Sequence, residues 1–125
     1  YRRPLPVLVS NYGAAADSSF HTDSPRRNDY SHEYHTEFHK RFFREIEARP
    51  WMSGGLMFCF RDIDGGQAIP RHTWKGVLDL EDGKRDAYYF YQSVWTTKPM
   101  VHIAQKSRTP REVWPESKRD IEAVF

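Results

Sequence analysis

Two short apolar runs constrain this chain more than any other feature: Val7-Leu8-Val9, and Gly54-Gly55-Leu56-Met57-Phe58-Cys59-Phe60. Each is followed by a polar loop and then by a stretch of helical periodicity. The first run predicts a strand from about Val7 to Ser10, which stops on Ser10-Asn11-Tyr12-Gly13. A long loop rich in Gly, Asp, Ser, Pro and Arg covers residues 12–29; loops of that length in compact domains are usually functional. A helix is expected from about Ser31 to Ala48. Ser31 caps it, Glu33 suits its first turn, and Tyr34, Phe38, Phe42, Phe43 and Ile46 give its spacing. Arg49-Pro50 ends it.

The second run reads as a strand buried on both faces, its glycines permitting close backbone approach. A loop from Arg61 to Trp74, a strand-like piece over residues 76–80 and the turn Glu81-Asp82-Gly83 come next. A second helix is expected from about Arg85 to Thr96, with Ala87, Tyr88, Tyr91, Val94 and Trp95 as its apolar set. Residues 100–104 alternate weakly as a strand, 105–118 form a polar link, and 120–125 suggest one more strand.

Strand, helix, strand, helix is a βα unit repeated. Strands buried on both faces need neighbours on both edges, and two cannot supply them. The pattern therefore predicts an α/β fold that is part of a larger barrel. The start, Tyr1-Arg2-Arg3-Pro4, has no initiator Met and no signal-peptide core, and reads as a cut end.

Composition narrows the function classes. A net charge of +2 is too small to argue for nucleic acid, and Arg26-Arg27 and Lys40-Arg41 read as solvated surface. No stretch approaches the roughly 18 apolar residues of a membrane span. The single cysteine, Cys59, allows no internal disulfide. It leaves the compartment open between periplasm, secretion and cytoplasm. Eight Phe, seven Tyr and four Trp in 125 residues supply rings for core packing and for sugar or base stacking.

Barrel chemistry sits where strands end at their C-terminal side. Two such ends are present: Ser10-Asn11-Tyr12-Gly13 and Phe58-Cys59-Phe60-Arg61-Asp62. Asp62 and Asp64 could pair as acid and base. Cys59 reads as an inert buried thiol; a Cys-His pair would need His21 or His72 beside it. His32, His35 and His39 recur on one helix, and His35 and His39 have a spacing that can ligate a metal given a third ligand. Solvent exposure is the expectation for them.

The stretch PVLVSNYG, the run Asp23-Ser24-Pro25 through Glu33-Tyr34, Arg49-Pro50-Trp51, Gly54-Gly55, Asp62, Lys75-Gly76 and Lys84 through Tyr89 together resemble family 2 glycoside hydrolases. The likeness is to the last quarter of the catalytic barrel, of the β-galactosidase type common in gut bacteria. It implies the last strands and helices of a (β/α)8 TIM barrel over residues 1–99. The start of an immunoglobulin-like β-sandwich would follow at 100–125.

The resemblance implies a retaining hydrolase acting on terminal β-galactosides or related β-glycosides. Such enzymes use one carboxylate to attack the anomeric carbon and another to protonate the leaving group. The family's nucleophile is a glutamate between Ser and Tyr-Gly, and here that place holds Asn11. An amide cannot form the glycosyl ester, so activity is expected to be lost or altered. The acid/base glutamate lies on an earlier strand. The family's Trp-Asn at the next strand end is Phe58-Cys59, and the Asn of its Asn-x-Lys-Gly motif is Thr73.

Substrate-binding roles are thus implied for Tyr12, Phe58, Cys59, Thr73 and Lys75, and a supporting one for Asp62. No cofactor or metal is implied, although some relatives hold a cation near the site. The implied partners are a carbohydrate and the rest of the barrel, without nucleic acid or membrane; a homo-oligomer is compatible. Two other readings use the same residues: a non-catalytic carbohydrate-binding relative, and a small independent α/β interaction domain.

Overall fold

The computed structural model describes residues 5–17, 19–65 and 72–104. Strand β1 spans Val7–Tyr12, helix α1 His32–Glu47 and strand β2 Met52–Met57. Two short strands, β3 (Ile63–Asp64) and β4 (His72–Thr73), precede helix α2, Asp86–Trp95.

β1 and β2 pair in parallel, with Leu8 opposite Gly54, Val9 opposite Gly55 and Tyr12 opposite Met57. Parallel neighbours need a crossover, which α1 provides. Its start is set by Ser31, whose hydroxyl accepts the Tyr34 N–H at 2.9 Å, while the Asp29 carboxylate accepts the Ser31 N–H at 2.8 Å. At its other end the Ala48 N–H donates to the Arg44 carbonyl. The chain then turns so that the Val7 N–H reaches the Trp51 carbonyl at 3.0 Å.

The core lies between the sheet and the two helices. Tyr12, Ile46, Val77, Ala87 and Tyr91 are buried in it, flanked by Val9, Phe38, Phe42, Phe43 and Met57. Tyr12 stacks on Phe42 with ring centroids 4.3 Å apart. Gly55 makes this layer possible: a Cβ there would sit 2.7 Å from Ile46 Cδ1 and 2.8 Å from Tyr12 Cε1. A larger residue would lift α1 off the sheet.

Several expectations are corrected. The second run is strand only over Met52–Met57, and it is not buried on both faces: Leu56, Phe58 and Phe60 are exposed, as are Val7 and Leu8 on its neighbour. The sheet has two strands among the described residues, so its second face is uncovered there. Residues 76–80 form no strand; Leu78 makes only isolated bridges to Arg61 and Lys84. The loop after Arg61 contains an antiparallel pair, Ile63 with Thr73 and Asp64 with His72. Val94 and Trp95 of α2 are exposed, Trp95 lying with one ring face stacked on Tyr91 at 4.7 Å.

Residues 100–104 are not a strand either. His102 instead stacks on Tyr89 at 3.7 Å and bonds the Asp86 carboxylate at 2.7 Å, which holds this segment against α2. The expected link and final strand over 105–125, and with them the expected sandwich domain, lie outside the described residues.

His35 and His39 depart furthest from expectation. Both are fully buried, not solvated. α1 buries Glu33, His35, Thr36 and His39 along its first turns and Ile46 near its end. The inward stripe is polar where the helix meets the loops at the strand ends. Apolar periodicity alone therefore assigns the buried face of that half to the wrong side chains.

Candidate functional site

The strand ends converge. Successive residues of a strand point to opposite faces. The register is irregular between Val9 and Tyr12; the Tyr12 side chain is buried against the helices, and Asn11 before it is exposed. The Phe58 N–H donates to the Tyr12 carbonyl at 2.7 Å. One residue on, a Cβ at Gly13 would lie 2.2 Å from the Phe58 carbonyl oxygen and 3.8 Å from Lys75 Cβ. Only glycine lets the chain at position 13 approach the Phe58 carbonyl so closely. The peptide between Phe58 and Cys59 is cis. Gly13, Phe58 and Lys75 therefore meet at the mouth on the C-terminal side of the parallel strands, and Asn11 stands two residues before Gly13 at the end of β1.

Cys59 lies beneath that mouth. Its thiol donates to the Arg61 carbonyl at 2.9 Å. Burial, reinforced by the Asp62 charge, pushes the thiol's pKa up, as suits an inert group rather than a nucleophile. His21 does not pair with it: the His21 ring bonds Glu33 at 2.9 Å instead.

Lys75 is held by a buried clamp. Asp62 accepts the Gly76 N–H at 2.8 Å and takes both terminal nitrogens of Arg85, at 2.9 and 2.7 Å. Arg85 also donates to the Gly76 carbonyl at 2.6 Å. Both side chains are almost wholly buried. A Cβ at Gly76 would lie 2.3 Å from the Leu78 oxygen and 2.4 Å from the Asp62 nitrogen, so the clamp needs glycine there. Asp62 is thus committed to Arg85 and is not paired with Asp64 as acid and base. The Lys75 ammonium makes no ion pair among the described residues.

Thr73 sits on β4, two residues before Lys75, with its backbone paired to Ile63. The structure therefore brings Phe58, Cys59 and Lys75 near the end of β1, buries the Tyr12 side chain in the core instead of offering it to a ligand, leaves Asn11 exposed, sets Asp62 behind Lys75 and leaves Thr73 on the adjoining arm.

Behind Tyr12 runs a polar chain that apolar spacing does not reveal. Tyr12 and Tyr91 share a hydrogen bond of 2.8 Å, and Tyr91 bonds His39 Nδ1 at 2.9 Å. The His35 ring packs 4.6 Å from His39. Burial holds the His39 pKa down to about 4. Burial, then the charge of His39, holds that of His35 well below the usual range. Burial also raises the Tyr91 phenol, with its bond to Tyr12 adding to this. These groups are neutral near pH 7.

Arg85 was also missed as a functional residue, though a signal exists. It begins α2, where the helix dipole disfavours a cation. A cation in that place needs a carboxylate, and Asp62 supplies it. Among the described residues no three His, Cys, Asp or Glu side chains converge as a metal site, and no helix is long and apolar enough to cross a membrane.

Comparison with known proteins follows this geometry. No family model matches the chain. It is 26% identical over 113 residues to a β-glucuronidase of Bacteroides fragilis, covering 82% of this chain and 16% of that protein. The crystal structure of Bacteroides uniformis β-glucuronidase superposes with a TM-score of 0.72 at 31% identity, over 81% of this chain and 12% of that one. Bacteroides uniformis β-glucuronidase 2 covalently bound to cyclophellitol-6-carboxylate aziridine gives 0.71 at 31%, over the same shares. The chain spans less than a fifth of the length of each. Its fold is that of a portion of a glycosidase (β/α)8 barrel, and these relatives are glycoside hydrolases.

Proposed function

We propose that these residues close the barrel of a protein that binds β-glycosides in the manner of a retaining glycosidase, and that the sugar is a β-glucuronide. The observation that supports this is the approach of Phe58 and Lys75 to Gly13 at the ends of two parallel strands, two residues after Asn11. Lys75 supports a uronic sugar. No carboxylate pairs with its ammonium among the described residues, and a sugar carboxylate would neutralise it. The relatives' glucuronidase names favour the same choice over the β-galactosides that the sequence resemblance suggests.

Asn11 limits the chemistry. A retaining mechanism needs a carboxylate that forms and then loses a bond to the anomeric carbon. The Asn11 amide lacks that charge, so the site as it stands binds sugar with little or no turnover. Phe58 offers a ring face to the C–H-rich face of a pyranose. Tyr12, anchored through Tyr91 and His39, fixes the strand end.

The test is Asn11→Glu in the full-length protein, assayed on an aryl β-glucuronide and an aryl β-galactoside. Hydrolysis of the glucuronide should rise by on the order of 10³-fold or more, since nucleophile loss costs at least that much elsewhere. Galactoside turnover instead would move the substrate class. No gain on either, with the fold intact, would overturn the assignment of position 11.

A further inference from the structure

Beside the mouth lies a cleft of about 400 Å³, lined by Asp17, Ser19, Phe20, Asp29, Tyr30 and Trp74. The backbone links the two places. The Ala16 N–H donates to the Trp74 carbonyl at 2.7 Å, which ties the loop after Asn11-Tyr12-Gly13 to the segment that carries Lys75.

Its rings are presented rather than packed. Trp74 is 47% exposed and Tyr30 56%. Neither the Trp74 indole N–H nor the Tyr30 hydroxyl has a partner among the described residues. Tyr30 is held in the left-handed region, φ 63°, which a bulky side chain enters only when its surroundings enforce it. The bonds that enforce it are visible: its carbonyl accepts the Asp17 N–H at 2.7 Å, and the flanking Asp29 carboxylate accepts the backbone N–H groups of Ser31 and Arg26.

The carboxylates are fixed in the same way. Asp17 Oδ1 accepts both the backbone N–H and the hydroxyl of Ser19, at 2.8 and 2.7 Å. Its Oδ2 accepts nothing among the described residues. The cleft thus offers two exposed ring faces, free N–H and O–H donors and a rigid acceptor. No Lys, Arg or His lines it. Aromatic faces suit the C–H face of a pyranose, and a fixed carboxylate suits its hydroxyls. Two carboxylates with no lining cation disfavour a second anion.

We propose that this cleft binds the leaving-group sugar of a glycoside whose other sugar occupies the Asn11 mouth, with Trp74 and Tyr30 as its platform and Asp17 as its hydroxyl acceptor. The ligand class is a disaccharide or longer glycan with a neutral or amino sugar next to the terminal one. The inference rests on the sugar-binding reading of the mouth and adds what lies beyond it. Polarity divides the two places: a cation at the inner one, carboxylates at the outer.

The intact protein is titrated calorimetrically with methyl β-glucuronide, with sulfur-linked β-glucuronyl-glucose and with sulfur-linked β-glucuronyl-glucuronate. The glucose disaccharide should bind at least tenfold tighter than the methyl glycoside, and the diuronate no tighter. Trp74→Ala should remove that tenfold difference, Trp74→Phe should keep part of it, and Asp17→Asn should narrow the gap between the two disaccharides. Equal binding of all three ligands overturns the cleft while leaving the mouth's reading intact. Tighter binding of the diuronate, or a tenfold preference that survives Trp74→Ala, overturns it as well. Failure of every ligand to bind overturns the reading of the mouth and this inference together.

Discussion

The His39 ring is buried beside Tyr12, Tyr91, His35 and Phe38, and its pKa is held down to about 4 against an ordinary 6.5. The fold therefore favours the neutral ring. Between about pH 6.5 and 4 the unfolded chain binds the proton that the folded one refuses, so stability falls as pH falls through that window and is complete above it. A difference of this size corresponds to about 3 kcal/mol at the acid end. His35, depressed by the same burial, adds to the slope. Thermal midpoints of the intact protein from pH 7.5 to 4.5 should drop steeply, and His39→Asn should flatten the drop. A profile unchanged by that substitution would remove His39 from the account. Asp62 and Arg85 behave differently because both are charged. Arg85→Met leaves the Asp62 carboxylate buried without its cation, which should cost about 3–5 kcal/mol. Adding Asp62→Asn should recover part of the lost thermal midpoint; a double variant no better than the single would mean that the clamp acts through shape alone.

Elements were legible where one physical signal governs them. The Ser31 cap and the Arg49-Pro50 stop place α1 within a residue of its bounds, because capping and proline geometry are local. The parallel pairing of β1 with β2 follows from the helix between them. The inward face of α1 did not follow. Glu33 bonds the His21 ring and the Thr22 N–H, and His39 bonds the Tyr91 hydroxyl, partners from residues 21, 22 and 91 that no local window contains. The segments that carry Asn11, Phe58 and Lys75 were legible because the first two lie at the ends of the parallel strands and the third in a family motif. The Trp74 and Tyr30 cleft could not, since loop conformation alone brings those rings together. Gly55 shows how tightly helix and sheet are matched. Gly55→Ala forces a methyl against Ile46 and the Tyr12 ring, and overpacking of this kind should cost about 1–3 kcal/mol. If Gly55→Ala leaves the thermal midpoint where it was, α1 is not seated on the sheet as described.

At the scale of the whole molecule, the uncovered side of the sheet dominates. Leu8, Leu56, Phe58 and Phe60 are each more than a third exposed along two adjacent strands and the segment that follows. A two-stranded sheet is marginal without further strands or packing. Among the described residues no further strand pairs with its outer edges, and unpaired edges recruit other chains. A barrel solves both problems at once by supplying neighbours at each edge and side chains across the interior. Residues 1–125 expressed alone should therefore self-associate, with sedimentation velocity showing concentration-dependent species and a hydrophobic dye binding strongly. Charges placed on the bare face, as in Leu8→Lys with Leu56→Glu, should reduce the association without disturbing Tyr12 or Ile46 on the opposite side. The same exposure distinguishes a barrel segment from a free-standing interaction domain. The latter would sediment as a monomer and unfold in one sharp transition, and that result would take away the reason for looking to further strands to complete the Asn11 mouth.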